Sequence, residues 1–179
     1  MYISRLKRKS DIYKSYILSI FLLSVVFLLL TMTGVFILSL ALGEFNNNWS
    51  EFAAVVIKDK GYGVLSEVYS PVTSIVISIW LLFILLNITG LIFYLGYSIS
   101  LEIGLPILIN SIIFIISGVS HNFEINMIYK ALPGFNTILL YHDVKTIYPS
   151  LEFSFIYIIV LILTLMLTSY SITRIKFKF

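Results

Sequence analysis

The fold that this sequence predicts is all-α and polytopic: four transmembrane helices, both termini inside, an outer interfacial helix and an outer re-entrant hairpin. Three observations carry the prediction. Of the 179 residues, 59% are hydrophobic and only 12% are charged, and the mean hydropathy is +1.01. A soluble domain carries about 25% charged residues, so this chain cannot cover a water-facing surface, and a soluble enzyme and a disordered chain are both excluded. Second, four long apolar runs carry no charge except Glu152 at the start of the last one. Third, the cations gather at the chain ends, as Arg5, Lys7, Arg8, Lys9 and Lys14 and as Arg174, Lys176 and Lys178. Lys and Arg mark cytoplasmic flanks, so both ends should lie inside and the number of spans should be even.

A hydrocarbon core of about 30 Å needs roughly 20 apolar residues in a helix. The first span is expected over residues 16–42. It follows a basic stretch, as a signal peptide would, but it is far longer than the roughly 7–15 apolar residues of a cleavable signal, so a retained anchor is expected. The second covers residues 72–97 and opens at Pro71, whose missing N–H costs nothing in a first turn. A polar break from Ser98 to Glu102 leads to the third span, 103–120, with Pro106 tolerated in its first turn. The fourth covers 151–173; Ser150 can cap it, and Glu152 suits the positive end of its dipole. The outer loops are then 43–71 and 121–150. Neither a repeat nor a Gly/Ser linker interrupts the chain, so residues 1–179 form one transmembrane domain.

The first outer loop carries a helix signal near residues 50–60. Ser50 can cap, Glu51 follows, Phe52, Val55 and Val56 form an apolar face, Lys58 and Lys60 close the last turn, and Gly61 offers a left-handed stop. Trp49, Tyr62 and Tyr69 flank it, so an interfacial helix on the outer leaflet is expected. The second outer loop reads apolar, break, apolar. Ile125, Ile128 and Leu132 precede Pro133 and Gly134, and Phe135, Ile138, Leu139 and Leu140 follow. That run is too short to span and suits a re-entrant hairpin over about 125–141, shielded by other helices. Pro133 and Gly134 are the candidate gate.

Catalytic chemistry is sparse. No phosphate loop, His-Glu-x-x-His helix or Gly-x-Ser-x-Gly elbow occurs, so no enzyme activity is expected and ATP could enter only through a partner subunit. With no cysteine, thiolate metal sites and disulfides are excluded. His121 with Glu124, and His142 with Asp143, are weak zinc candidates; the plainer reading is polar groups returning to water at the membrane edge. No acid or base lies deep in a span, which disfavours a proton- or ion-coupled carrier. Asn87, Thr89, Asn110, Ser111, Thr164, Thr168 and Ser169 offer either a polar seam or hydrogen bonds between helices. Ser74 with Ser78, and Gly90 with Gly96, permit close helix approach. At the inner face, Ile3, Leu6 and Ile12 among the N-terminal cations suggest a short helix along the inner leaflet. Ile3, Leu6 and Glu102 are the candidate contacts to an ATPase or to inner-leaflet lipid.

Over residues 72–179 the order of features is Trp80-Leu-Leu-Phe, Gly90-Leu-Ile-Phe-Tyr-Leu-Gly96, the turn at Ser98–Gly104, an Ile-rich span, Leu132-Pro-Gly-Phe135, and a final span ending in alternating Lys and Phe. This order resembles the C-terminal half of small ABC-2-type permeases of Gram-positive bacteria, which export bacteriocins, lantibiotics or other amphipathic peptides. The resemblance implies a membrane subunit paired with another, homo- or hetero-oligomeric, driven by a cytoplasmic ATPase, with a peptide cargo and no nucleic acid. It also implies an outer re-entrant segment before the last span, and a bacterial plasma membrane as location. The family's second and third spans, and the coupling helix between them, have no counterpart here. That departure keeps a second class open: a four-span immunity, scaffold or assembly protein that binds other membrane proteins.

Overall fold

The computed structural model describes residues 9–42, 48–51, 55, 68–120, 132–137 and 150–176. Among them every regular element is helical: α1 (Lys9–Leu42), α2 (Pro71–Ser100), α3 (Gly104–Ser120), the single turn α4 (Pro133–Asn136) and α5 (Leu151–Lys176). Three stretches are long and apolar enough to cross a membrane: Ser10–Leu38, Pro71–Ser100 and Glu152–Ile175. The apolar helix Gly104–Ser117 is shorter. At 1.5 Å per residue, the 17 residues of α3 extend about 25 Å.

The surface is that of a membrane protein. Leu22, Leu23, Phe27 and Leu30 of α1 and Ile156, Ile159, Val160 and Leu167 of α5 are each at least half exposed, whereas the serines at 24, 74, 98, 154 and 169 are buried. Lipid tails are as apolar as Leu, so small side chains that let backbones approach make the better helix contacts. α2 is central and packs on α1, α3 and α5. Its core with α5 comprises Leu81, Ile88, Leu91, Ile158 and Leu165. A Cβ on Gly90 would stand 2.5 Å from Ile20 Cγ2 of α1, and one on Gly96 would stand 3.0 Å from Pro106 Cβ of α3. The expected close approaches therefore occur, each to a different neighbour. Of the Ser74 and Ser78 pair, Ser74 is buried and Ser78 exposed.

Boundaries follow local chemistry. Ser70 caps α2, its Oγ accepting the Thr73 N–H at 3.3 Å with Pro71 in the first turn. Ser150 does the same for α5 through the Phe153 N–H at 3.2 Å. α1 begins at Lys9, upstream of the charge-free apolar run expected from residue 16. Ile12 is 1% exposed, and the Tyr13 hydroxyl donates to the Met166 carbonyl of α5 at 3.0 Å. Ile12 thus lies in the first turns of α1, whose start is joined to α5 through Tyr13. Ile3 and Leu6 lie outside the described residues.

The α2–α3 turn stops the chain at Leu101, whose φ of 60° is left-handed and whose N–H bonds the Tyr97 carbonyl at 2.7 Å. Ser100 Oγ donates to the Gly96 carbonyl and accepts the Glu102 N–H. A non-glycine residue pays about 1–2 kcal/mol for that conformation, and Leu101 is exposed. We expect Leu101→Gly to stabilise the purified protein by about 1 kcal/mol, measured as a higher midpoint in thermal unfolding in mild detergent.

Candidate functional site

The turn α4 grows out of its sequence. Pro133 forces the residue before it to be extended, and Leu132 has φ −93° and ψ 129°. One helical turn follows, closed by Asn136 N–H to the Leu132 carbonyl at 3.4 Å and by Thr137 Oγ1 to the Pro133 carbonyl at 2.9 Å. Pro133, Gly134, Asn136 and Thr137 are all buried. The turn touches α3, α5 and, more lightly, α2.

Two contacts seat it. A Cβ on Gly134 would lie 3.0 Å from both Cβ and Oγ of Ser117 on α3, so glycine lets the turn approach that helix. On the other side Ser154 Oγ of α5 donates to Asn136 Oδ1 at 2.8 Å, while Asn136 Nδ2 donates to the Leu132 carbonyl at 3.0 Å. The two bonds agree on one orientation of the amide. Asn136 is 0% exposed, and a polar group so buried costs little only when it is bonded in this way. Cysteines placed at Ser117 and Gly134 should therefore cross-link. Their Cβ atoms would start about 3 Å apart, and moving apart by roughly half an ångström brings them into the disulfide range. Oxidation with copper phenanthroline should give a single intramolecular bridge, read as a mobility shift reversed by reductant.

The remaining candidates are dispersed. Glu102 is exposed at the α2–α3 turn. That turn lies at the end of the bundle where α1 starts and α5 finishes, because Tyr13 packs against Tyr94 at 6.1 Å and Tyr170 at 5.4 Å. Tyr16 adds a contact to Tyr94 at 4.7 Å. The Tyr94 hydroxyl lies 2.6 Å from Thr173 Oγ1. Thr173 spends its own proton on the Ser169 carbonyl, so Tyr94 is the donor. His121, Glu124, His142 and Asp143 lie outside the described residues, as does most of the expected interfacial helix. At that loop's described ends, Trp49 Nε1 donates to the Tyr69 carbonyl at 2.8 Å.

The polar residues of the helices do not form one seam. Asn87, Thr89, Thr164 and Thr168 each donate to the carbonyl four residues back in their own helix. Asn110 bonds Pro106 in its helix at 3.1 Å and reaches Thr89 of α2 at 3.5 Å. Ser111 is exposed, and Ser169 is buried with its hydroxyl unbonded. Hydrogen bonding therefore stays mostly within helices, a way of hiding hydroxyls in lipid that leaves helix contacts to packing.

Sequence reasoning missed Asn136, Ser154 and Ser117. A signal existed for the first: an amide two residues after a Pro-Gly break, amid apolar side chains, needs partners that its own segment cannot fully supply. Its partner Ser154 on α5, and Ser117 on α3 against which Gly134 is seated, carry no such signal, because Ser is common in both helices. No family model matches the chain, and neither a curated protein nor a solved structure matches it.

Proposed function

We propose that this protein is a membrane subunit of an ABC-type exporter of hydrophobic or amphipathic peptides, driven by a separate cytoplasmic ATPase. In this reading the chain crosses a bacterial plasma membrane four times, with α3 as the short third span and both termini inside. The loop carrying α4 enters the outer leaflet as a re-entrant segment, and Pro133 and Gly134 form its gate. The observation that carries the reading is the buried turn between α3 and α5, since non-helical backbone at membrane depth survives only where protein shields it. The clustering of Lys14, Arg174 and Glu102 toward one end of the bundle fits an inner face that meets a partner. ATP would act through the partner, with Ile3, Leu6 and Glu102 as the contacts.

A specific observation favours a second reading, that of a four-span immunity, scaffold or assembly protein. Most polar side chains in the helices bond within their own helix, which favours static packing over a polar path. Purification from native membranes in mild detergent separates the two. The exporter reading expects a co-purifying protein with a phosphate loop and ATPase activity lost on mutation of that loop's lysine. Recovery of the chain alone, or with a toxin-like peptide and no ATPase, overturns it in favour of the second.

A further inference from the structure

We propose that the seam between α1 and α5, at the end where α1 starts and α5 finishes, binds one anionic phospholipid, its phosphate held between Lys14 and Arg174 and its acyl chains laid along the furrow beyond them. Naming the inner leaflet rests on the topology proposed above; the binding itself needs no ATPase. The two helices are joined there by Tyr13, whose hydroxyl bonds the Met166 carbonyl and whose ring meets Tyr170 edge-on at 5.4 Å. α2 packs behind that contact. α1 meets it through Tyr16 and Ile20, and α5 meets it through Leu165 and Thr173. Successive helical residues turn by about 100°, so Lys14 on α1 and Arg174 on α5 both stand past the tyrosine pair, on the side of the seam turned away from α2. Both are exposed.

That face has the chemistry of a lipid site. Counted from the Tyr13–Tyr170 contact, Lys14 lies one residue toward the outer end and Arg174 four residues toward the inner end, about 7 Å apart in depth. Ser10, one turn before Lys14, brings a hydroxyl to the level of Arg174. A phosphate diester between the two helices can take a forked pair of N–H bonds from the guanidinium and a single one from the Lys14 ammonium. Asp11 stands roughly 60° round α1 from Lys14, on the side away from Arg174, so the anion enters beside Tyr170. That ring is 42% exposed, as an amphipathic side chain is at headgroup level. Toward the middle of the bundle the same face carries Leu18 of α1 and Leu163 and Leu167 of α5, each more than half exposed. A soluble phosphate or an acidic protein loop would leave that furrow uncovered, whereas acyl chains fill it. Cations between two helices, leading directly into apolar surface, are how an inner-face headgroup is held.

The test uses the full chain, purified in mild detergent and titrated with phosphatidylglycerol or with phosphatidylcholine of the same acyl chains, with bound lipid counted by native mass spectrometry. One phosphatidylglycerol should be retained in preference to phosphatidylcholine. Lys14→Gln combined with Arg174→Gln should weaken its binding about thirtyfold, or roughly fivefold for each cation lost. Lys58→Gln with Lys60→Gln removes as much charge from the first outer loop and should change nothing. Glycerol phosphate, the headgroup without its chains, should not displace the lipid at millimolar concentration; displacement would mark a site for a soluble phosphate and overturn the proposal. Unchanged binding in the Lys14 and Arg174 variant also overturns it, and leaves those cations to a protein partner. An equal loss in the Lys58 and Lys60 variant does the same, by reducing the effect to general charge. If the double variant cannot be purified, Lys14→Gln alone should weaken binding about fivefold, and no change there is equally fatal. Absence of an ATPase partner would remove the exporter reading and leave this result standing.

Discussion

Gly90→Val should separate α1 from α2 and lower stability by about 3 kcal/mol, the upper end of what overpacking a tight contact costs. The ideal Cβ would stand 2.5 Å from Ile20 Cγ2 and 3.2 Å from Cγ1. Ile20 cannot swing aside easily, since a β-branched residue in a helix has one strongly preferred rotamer. The helices must therefore part, and close packing is what holds them in a bilayer. The contact lies within the same stretch as the edge-to-face pair of Phe21 and Phe83, 5.5 Å apart, with Trp80 edge-to-face against Phe83 at 6.4 Å. Trp80 fluorescence during an SDS titration in mild detergent should thus report an earlier transition. Gly34 is the control: it is helical too, but nothing lies within 4 Å of a Cβ placed there, so Gly34→Ala should cause no loss. Equal behaviour of the two variants would refute the α1–α2 contact.

Tyr94→Ala is the second large effect, about 3 kcal/mol. The value lies at the low end for a large aromatic because lipid, unlike water, gives little penalty for exposing the ring's neighbours. Tyr94 is 2% exposed and meets both Tyr13 and Tyr16 of α1 while bonding Thr173 of α5, so it joins three helices at one end. Tyr94→Phe should cost only about 1 kcal/mol. It keeps the ring contacts, and Thr173 is not orphaned, since its hydroxyl still donates to the Ser169 carbonyl. The Ala and Phe variants, compared in the same titration, measure the packing of the cluster apart from its hydrogen bond. Similar losses in the two would mean that the bond, not the rings, ties the helices.

The helices and their membrane character were determined by the sequence alone, because apolarity, Pro at first turns and Ser at caps act within a few residues. Pro71 and Ser150 open α2 and α5 as local rules predict, and the Pro133-Gly134 break marks a turn. Local rules failed where distant partners decide. The charge-free apolar run opens only near residue 16, whereas α1 begins at Lys9. In the fold Ile12 is buried, and Tyr13 meets Tyr94 and Met166, each more than eighty residues away. Leu101 carries no turn signal of its own, yet it takes the left-handed conformation in the turn between α2 and α3, which meet at Gly96 and Pro106. The sequence marked Gly90 and Gly96 as points of close approach, but only the tertiary structure gives each its neighbour, Ile20 of α1 for the first and Pro106 of α3 for the second, because helices in lipid choose partners by shape, and shape is shared between segments far apart in the chain. For the same reason the sequence marked Pro133 and Gly134 but not Asn136, whose part depends on a serine eighteen residues away on another helix.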